Sequence, residues 1–177
     1  MSMINTITYG LDIGGTKIEI GLFDSELNVI DSRRVPTPTQ DYDEFLSTVA
    51  NLILEADKRC GQQGTIGIGM PGILDKNSRV QSANVPCATG KLLVADLETT
   101  LGRSVAVAND CRLFALSESC GGAGDKQPLV YGAILGTGAG GGLCINGALY
   151  KSGNNIAGEF GHLPVSGYLL QKYNLPA

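Results

Sequence analysis

Tryptophan is absent, histidine occurs once and aromatic side chains make up only 6% of the 177 residues. The aromatics form no stripe beyond one helix pattern and read as packing. No apolar run approaches the roughly 18 residues that cross a bilayer. The opening MSMINTITYG has neither a basic nor an apolar leader segment, which predicts no export signal and a cytoplasmic protein. Basic charge is also scarce, since 13 Lys and Arg against 17 Asp and Glu leave a net charge of −4. That balance excludes the broad basic footprint that nucleic acid or an anionic membrane would need in a partner, while a nucleotide-sized anion remains compatible with it. The five cysteines (Cys60, Cys87, Cys111, Cys120 and Cys144) contain no C-x2-C or C-x4-C pair. Their odd number predicts reduced thiols serving mostly as core filler.

Glycine, by contrast, is abundant: 25 residues, about 14% of the chain against a usual share of roughly 7%. With 43% hydrophobic residues the chain can bury an ordinary core, and its length suits one domain plus part of another. Residues 6–12 read as an apolar strand and 18–24 as an alternating one, with the glycine turn GGTK between them. Residues 29–35 add a third strand. A helix then opens at Asp41, with Tyr42, Phe45, Leu46, Val49, Leu52, Ile53 and Ala56 at helical spacing. Asp41 with Glu44 gives a capping-box signature and Gly61 a stop. Residues 65–70 form a strand, 94–101 a helix closed by Gly102, and 105–108 a strand. A further helix from Cys111, capped by Asn109 or Asp110, should bury Leu113, Leu116 and Cys120. This βββαβαβα order ends in a glycine-rich linker over 121–128. Then a strand over 129–135, the turn GTGAGGG and a returning strand over 143–150 repeat the opening hairpin. Tyr9-Gly10 aligns with Tyr131-Gly132, so the expected organisation is one complete unit over 1–127 and the incomplete start of a similar unit over 128–177.

Three constellations carry chemistry. Asp12-Ile13-Gly14-Gly15-Thr16-Lys17 places a carboxylate at a strand end beside a glycine turn whose N–H groups can converge on an anion. A strand follows rather than a helix, which excludes the dinucleotide fingerprint and the P-loop. An ordinary hairpin turn explains GGTK taken alone; its recurrence at residues 136–142 favours two loops that hold a triphosphate across a cleft. Asn109-Asp110 sits at a strand-to-helix step, where the helix dipole favours an ionised carboxylate suited to accept a hydroxyl proton. Asp is also among the commonest plain helix caps. Gly158-Glu159-Phe160-Gly161-His162 spaces Glu159 and the sole histidine so that both can share a face. A lone histidine is more often structural than a ligand, and no cysteine cluster in the chain completes a tetrahedral zinc site with it.

DIGGTK, GIGMPG, AND followed by FALSE, GTGAGGG and GEFGH, in this order, resemble the ROK family (repressors, open reading frames and kinases) of the actin-like ATPase superfamily, over Tyr9 to about Pro164. RRVPTPTQDYDEFL and SANVPCATGKLLVADLE resemble its amino-sugar kinase branch. The resemblance implies an α/β fold of the actin-like, ribonuclease H-like type. It also implies transfer of the γ-phosphate of ATP, with Mg2+, to the 6-hydroxyl of N-acetyl-D-glucosamine. On this reading Gly10, Leu11, Asp12, Ile13, Gly14, Gly15, Thr16 and Lys17 form the first phosphate loop, with Asp12 near magnesium. Gly136, Thr137, Gly138, Ala139, Gly140, Gly141, Gly142 and Leu143 form the second. Asp110 matches the catalytic base, and Asn109, Asp110, Glu159 and His162 match sugar contacts, with Gly72 and Asn84 beside them. His162 also matches the single histidine ligand of a structural Zn2+, and the complete protein is expected as a homodimer.

Two departures from the family pattern stand out. The pattern N-D-A-N is Asn109-Asp110-Cys111-Arg112 here, and the chain ends at Ala177, before the cysteine segment that would supply the zinc thiolates. The chain is therefore expected to be the N-terminal piece of a longer kinase, inactive by itself. Kinases of N-acetylmannosamine, glucose or fructose remain as alternatives, as do a non-catalytic fragment and a sugar-responsive repressor. Against the last stand the acidic charge and the eight residues before Tyr9, too few for a helix-turn-helix.

Overall fold

The computed structural model describes residues 6–136, 138–152 and 156–174. In chain order its elements are β1 (Thr8–Ile13), β2 (Lys17–Phe23), β3 (Val29–Pro36), α1 (Tyr42–Cys60), β4 (Thr65–Met70), β5 (Ile73–Leu74), β6 (Val80–Gln81), α2 (Leu93–Leu101), β7 (Ala106–Asn109), α3 (Asp110–Ser119), β8 (Leu129–Leu135), β9 (Ala139–Ile145), β10 (Ala148–Leu149) and α4 (Gly167–Tyr173). Among the described residues no helix is long and apolar enough to cross a membrane.

Period-two alternation turns the first hairpin into a two-faced surface. Tyr9, Leu11, Ile13, Ile18, Ile20 and Leu22 are buried, while Thr8, Gly10, Asp12 and Glu19 occupy the other face. The sheet order is β3-β2-β1-β4-β7, antiparallel through β3, β2 and β1 and parallel from β1 to β4 to β7. Parallel neighbours require long crossovers, which α1 and α2 supply. Phe45, Val49 and Ile53 from α1 and Leu93 and Leu97 from α2 are fully buried with the strand residues. Each such side chain contributes roughly 2 kcal/mol by leaving water. The expected signals act at the ends of α1: Asp41 Oδ1 accepts from Glu44 N at 2.8 Å, and Gly61 closes the helix at φ 67°. The edge strand β3 is exposed and guarded by ion pairs Arg33–Glu55, Arg34–Glu19 and Arg59–Asp31, and by Pro36 at its end.

A second sheet, β10-β9-β8, lies on the far side of α3. Its hairpin repeats the first in register: Gly10 pairs with Gly21 and Gly132 with Gly142, while Tyr9 faces Leu22 and Tyr131 faces Leu143. The expected turn and returning strand are corrected here. The strand begins at Ala139, inside the expected turn, and breaks at Asn146-Gly147, both with positive φ, before β10. The cause is α3. A Cβ on Gly142 would lie 2.6 Å from Arg112 Cα, and one on Gly132 would lie 2.8 Å from Ala115 Cα, so these strand positions take no side chain.

Helix α3 differs from expectation for the same reason. It starts at Asp110, and it buries Arg112, Ala115 and Ser119 against the glycine strands rather than Leu113, Leu116 and Cys120. Leu113 instead turns to Gly69 of the first sheet. Three of the five cysteines do fill the core, Cys144 fully buried and Cys60 and Cys87 packed against the main cluster, while Cys111 lies at the cleft and Cys120 is exposed. The hairpin of β5 and β6, the 3-10 turn at Pro86–Ala88 and α4 were outside the predicted elements, because segments this short show no periodicity.

Between α1 and the loop after α2, Arg103 makes a bidentate contact with Asp57 at 2.8 and 2.9 Å, the two side chains 15% and 14% exposed. Asp57→Ala leaves that guanidinium nearly buried and unpaired, and should cost about 3 kcal/mol in urea unfolding. A loss below about 1 kcal/mol would mean that water compensates the charge.

Candidate active site

A cleft of about 710 Å3 opens beyond the carboxyl ends of β4 and β7, where ligands of open α/β sheets bind. Pro71, Gly72 and Ile73 line one wall, Asn84 and Ala83 another, and Asn109, Asp110 and Cys111 the floor. The turn Gly136–Gly138, with Ala139 and Gly140, and the Glu159 segment close the far side. Candidate residues 72, 84, 109, 110, 136, 138, 139, 140 and 159 thus share one space. Gly141, Gly142 and Leu143 lie in β9. Thr137 and the side chain of His162 lie outside the described residues.

Asn109 ends β7 in extended conformation and caps α3: its Oδ1 accepts from Arg112 N at 3.0 Å. Its Nδ2 donates to Gly72 O at 3.0 Å. Gly72 has φ 106°, and a Cβ there would collide with Gln81 O, so no other residue places that carbonyl. Because Asn109 is the cap, Asp110 is left as the first helical residue with its carboxylate toward the cleft, one oxygen accepting from Cys111 N at 2.8 Å.

Glu159 owes its place to backbone stacked on backbone. Gly158, at φ 99°, approaches Gly142 so closely that a Cβ would lie 2.8 Å from Gly142 Cα. Tyr131 Oη donates to Gly158 O at 3.3 Å, and its ring lies tilted against that of Phe160, the centroids 5.0 Å apart. Arg112 is 8% exposed, and its guanidinium donates to Tyr150 O at 2.9 Å.

In each glycine turn the first N–H is used internally, Gly14 N donating to Lys17 O at 2.8 Å and Gly136 N to Gly138 O at 2.9 Å. Neither Gly14 nor Gly15 is left-handed. Glycine at 15 answers a close approach, for a Cβ would lie 2.9 Å from Asn84 O. Gly10, Leu11 and Asp12 line a different groove, of about 520 Å3, which also reaches Asp110.

The electrostatics concentrate at the two aspartates. Loss of water, then the Asp110 and Glu19 carboxylates, push the Asp12 carboxyl above its ordinary range although its side chain still meets solvent. Cys111, whose placement in the cleft the sequence reading missed despite its adjacency to Asp110, is pushed up to about 11 by burial first and Asp110 second. It is a neutral thiol at neutral pH and no nucleophile. A magnesium ion uses one or two carboxylates together with phosphate oxygens, so Asp12 beside Asp110 fits it. Zinc does not fit what is described, since no group of three His, Cys, Asp or Glu that could hold a metal occurs among the described residues.

A raised carboxyl pKa means that ionising Asp12 costs more in the folded chain than in the unfolded one. Its penalty is absent at low pH and grows as pH rises through the folded pKa. Asp12→Asn should therefore have a higher Tm than the unchanged chain at pH 7, with the gap closing toward about pH 4. An equal or lower Tm at pH 7 would contradict this account of Asp12.

The ROK family description matches residues 8–172. N-acetylgalactosamine kinase AgaK of Shewanella sp. (strain ANA-3) is 51% identical over 168 residues, covering 95% of this chain and 54% of that protein. N-acetyl-D-glucosamine kinase of Yersinia enterocolitica is 49% identical over 160 residues, covering 89% and 53%. The chain spans about half the length of the curated relatives it matches. The ROK hexokinase of Thermus thermophilus superposes with a TM-score of 0.81 at 32% identity, over 91% of this chain and 54% of that one. The ROK family glucokinase of Streptomyces griseus, solved with glucose and AMPPNP, gives 0.77 at 32% identity, over 90% and 51%. The fold is accordingly the α/β actin-like ATPase fold of these sugar kinases, and the chain belongs to the ROK family.

Proposed function

We propose that the complete protein is an ATP-dependent kinase of N-acetyl-D-glucosamine, with residues 1–127 as its first lobe and 128–177 as the start of its second. The observation that carries this reading is the single cleft in which Asn84, Asn109, Asp110 and Glu159 stand beside the glycine turn 136–138. Its volume is that of a small-ligand site, with polar side chains for a polyol next to bare backbone for a phosphate.

Phosphoryl transfer asks a protein chiefly to position the reactants and neutralise charge. Asp110 takes the proton of the sugar O6 as that oxygen bonds to the γ-phosphorus, and the bond from phosphorus to the bridging oxygen breaks to release ADP. Asn109 and Glu159, with Gly72, Asn84 and His162, orient the sugar hydroxyls. Residues 10–17 and 136–140 face the nucleotide phosphates, with Gly141, Gly142 and Leu143 behind them in β9. Asp12 would hold the magnesium ion, which would supply charge neutralisation for the phosphates. A structural zinc through His162 and a homodimer belong to the same reading and rest on the family resemblance.

The relative that is an N-acetylgalactosamine kinase makes that C4 epimer the sugar to compare. In a coupled ADP assay of the full-length protein, kcat/KM should be highest for N-acetylglucosamine and far lower for glucose and fructose. A preference for N-acetylgalactosamine would move the acceptor, and a preference for glucose would overturn the amino-sugar reading. Asp110→Asn leaves the Asn109 cap intact and should lower kcat by ~10²-fold or more, with sugar KM changed little. Near-normal kcat in that variant would contradict the base assignment.

A further inference from the structure

We propose that Arg112 is a positioning residue for the sugar side of the site, holding the segment that carries Glu159 in register with Asp110. The proposal rests on the kinase reading above for its kinetic consequence, and on geometry alone for its structural one.

A charged side chain that is 8% exposed is costly unless its donors are engaged. Arg112 reaches 38 residues along the chain to do so, its terminal nitrogen donating to Tyr150 O at 2.9 Å. Tyr150 is itself fixed to β9, its N–H donating to Leu143 O at 2.8 Å. At the other end, Arg112 N is bonded to Asn109 Oδ1, and Asn109 Nδ2 to Gly72 O. A continuous run of hydrogen bonds therefore crosses the cleft floor from Gly72 to Tyr150, through the two residues that bracket Asp110-Cys111.

The backbone of Arg112 bears on the same region. Gly142 rests against Arg112 Cα, and Gly158 rests against Gly142. Tyr150 is thus held by the Arg112 side chain, and Gly158, next to Glu159, by the stacked glycines. Nothing in this arrangement reaches the turn 14–17. Loosening it should be felt by the sugar, whose hydroxyls Glu159 meets, and not by the nucleotide. Arg112 also lines a small cavity of about 80 Å3 with Met70, Ile73 and Leu74, next to the cleft.

The test uses the full-length protein with Arg112→Met, Arg112→Gln and Arg112→Lys. A hydrogen bond from a charged donor is worth enough that Arg112→Met should raise sugar KM ~10-fold. ATP KM and kcat should stay within about twofold. Hydrogen exchange of the peptide over 146–152 should quicken in the same variant, and Arg112→Lys should restore most of both. If Arg112→Met fails to fold, Arg112→Gln decides by the same readouts. Unchanged sugar KM with unchanged exchange would overturn the proposal, as would a fall in kcat with a rise in both KM values and a lower Tm, which marks a merely structural role. If the unchanged protein phosphorylates no amino sugar, the kinase reading fails separately, and the exchange of 146–152 still decides whether Arg112 holds that segment.

Discussion

Helix α3 approaches β9 until a Cβ on Gly142 would lie 2.6 Å from Arg112 Cα, and from the opposite side Gly158 approaches the same residue until its own Cβ would lie 2.8 Å away. Three segments are therefore stacked with only backbone between them. Helix α3 opens with Asp110 and the third segment continues into Glu159, so this stack fixes where both residues meet the cleft. Native packing at this density has no slack, so a single methyl group must move something. The cleft, its floor and its far wall all depend on this contact.

The same closeness shapes the electrostatics. Helix α3 lies between two sheets, so its first turn is shielded on both sides, and Asp110 stands near Asp12 on one side and Cys111 on the other. Burial first, and the negative charge crowded there second, hold the Asp12 carboxyl up and keep the Cys111 thiol protonated. An arrangement that destabilises its own charges is the usual mark of a site built for a cation or a proton transfer. Asn109 makes it workable, since by capping the helix and holding Gly72 it leaves the Asp110 carboxylate, bonded to Cys111 N, directed at the cleft.

Much of this was legible in the sequence, for reasons that differ by element. Helix α1 was readable because its apolar spacing, Asp41 cap and Gly61 stop all agree. The first sheet followed from strict alternation in β1 and β2, and the repeat was visible as Tyr-Gly facing Gly-Leu in two hairpins. The cleft residues were recognisable only as a family pattern, because Gly72, Asn84, Asn109 and Glu159 are scattered and no spacing rule joins them. Glycines 140 to 142 misled for a physical reason: a glycine needed for close packing and a glycine needed for a turn are the same letter. The buried face of α3 was hidden likewise, since against glycine strands an alanine and an arginine stem pack where leucines were expected.

The central claim is that β9 must be thin for the site to exist, and the most direct measurement compares Gly142→Ala with Gly138→Ala in the full-length protein. A Cβ at 138 meets nothing within 4 Å, whereas at 142 it meets Arg112, Ala115 and Cys111. Thermal and urea unfolding should show Gly142→Ala destabilised by about 2 kcal/mol, with sugar affinity reduced, while Gly138→Ala unfolds as the unchanged protein does. Equal stability and equal sugar affinity in the two variants would contradict the account.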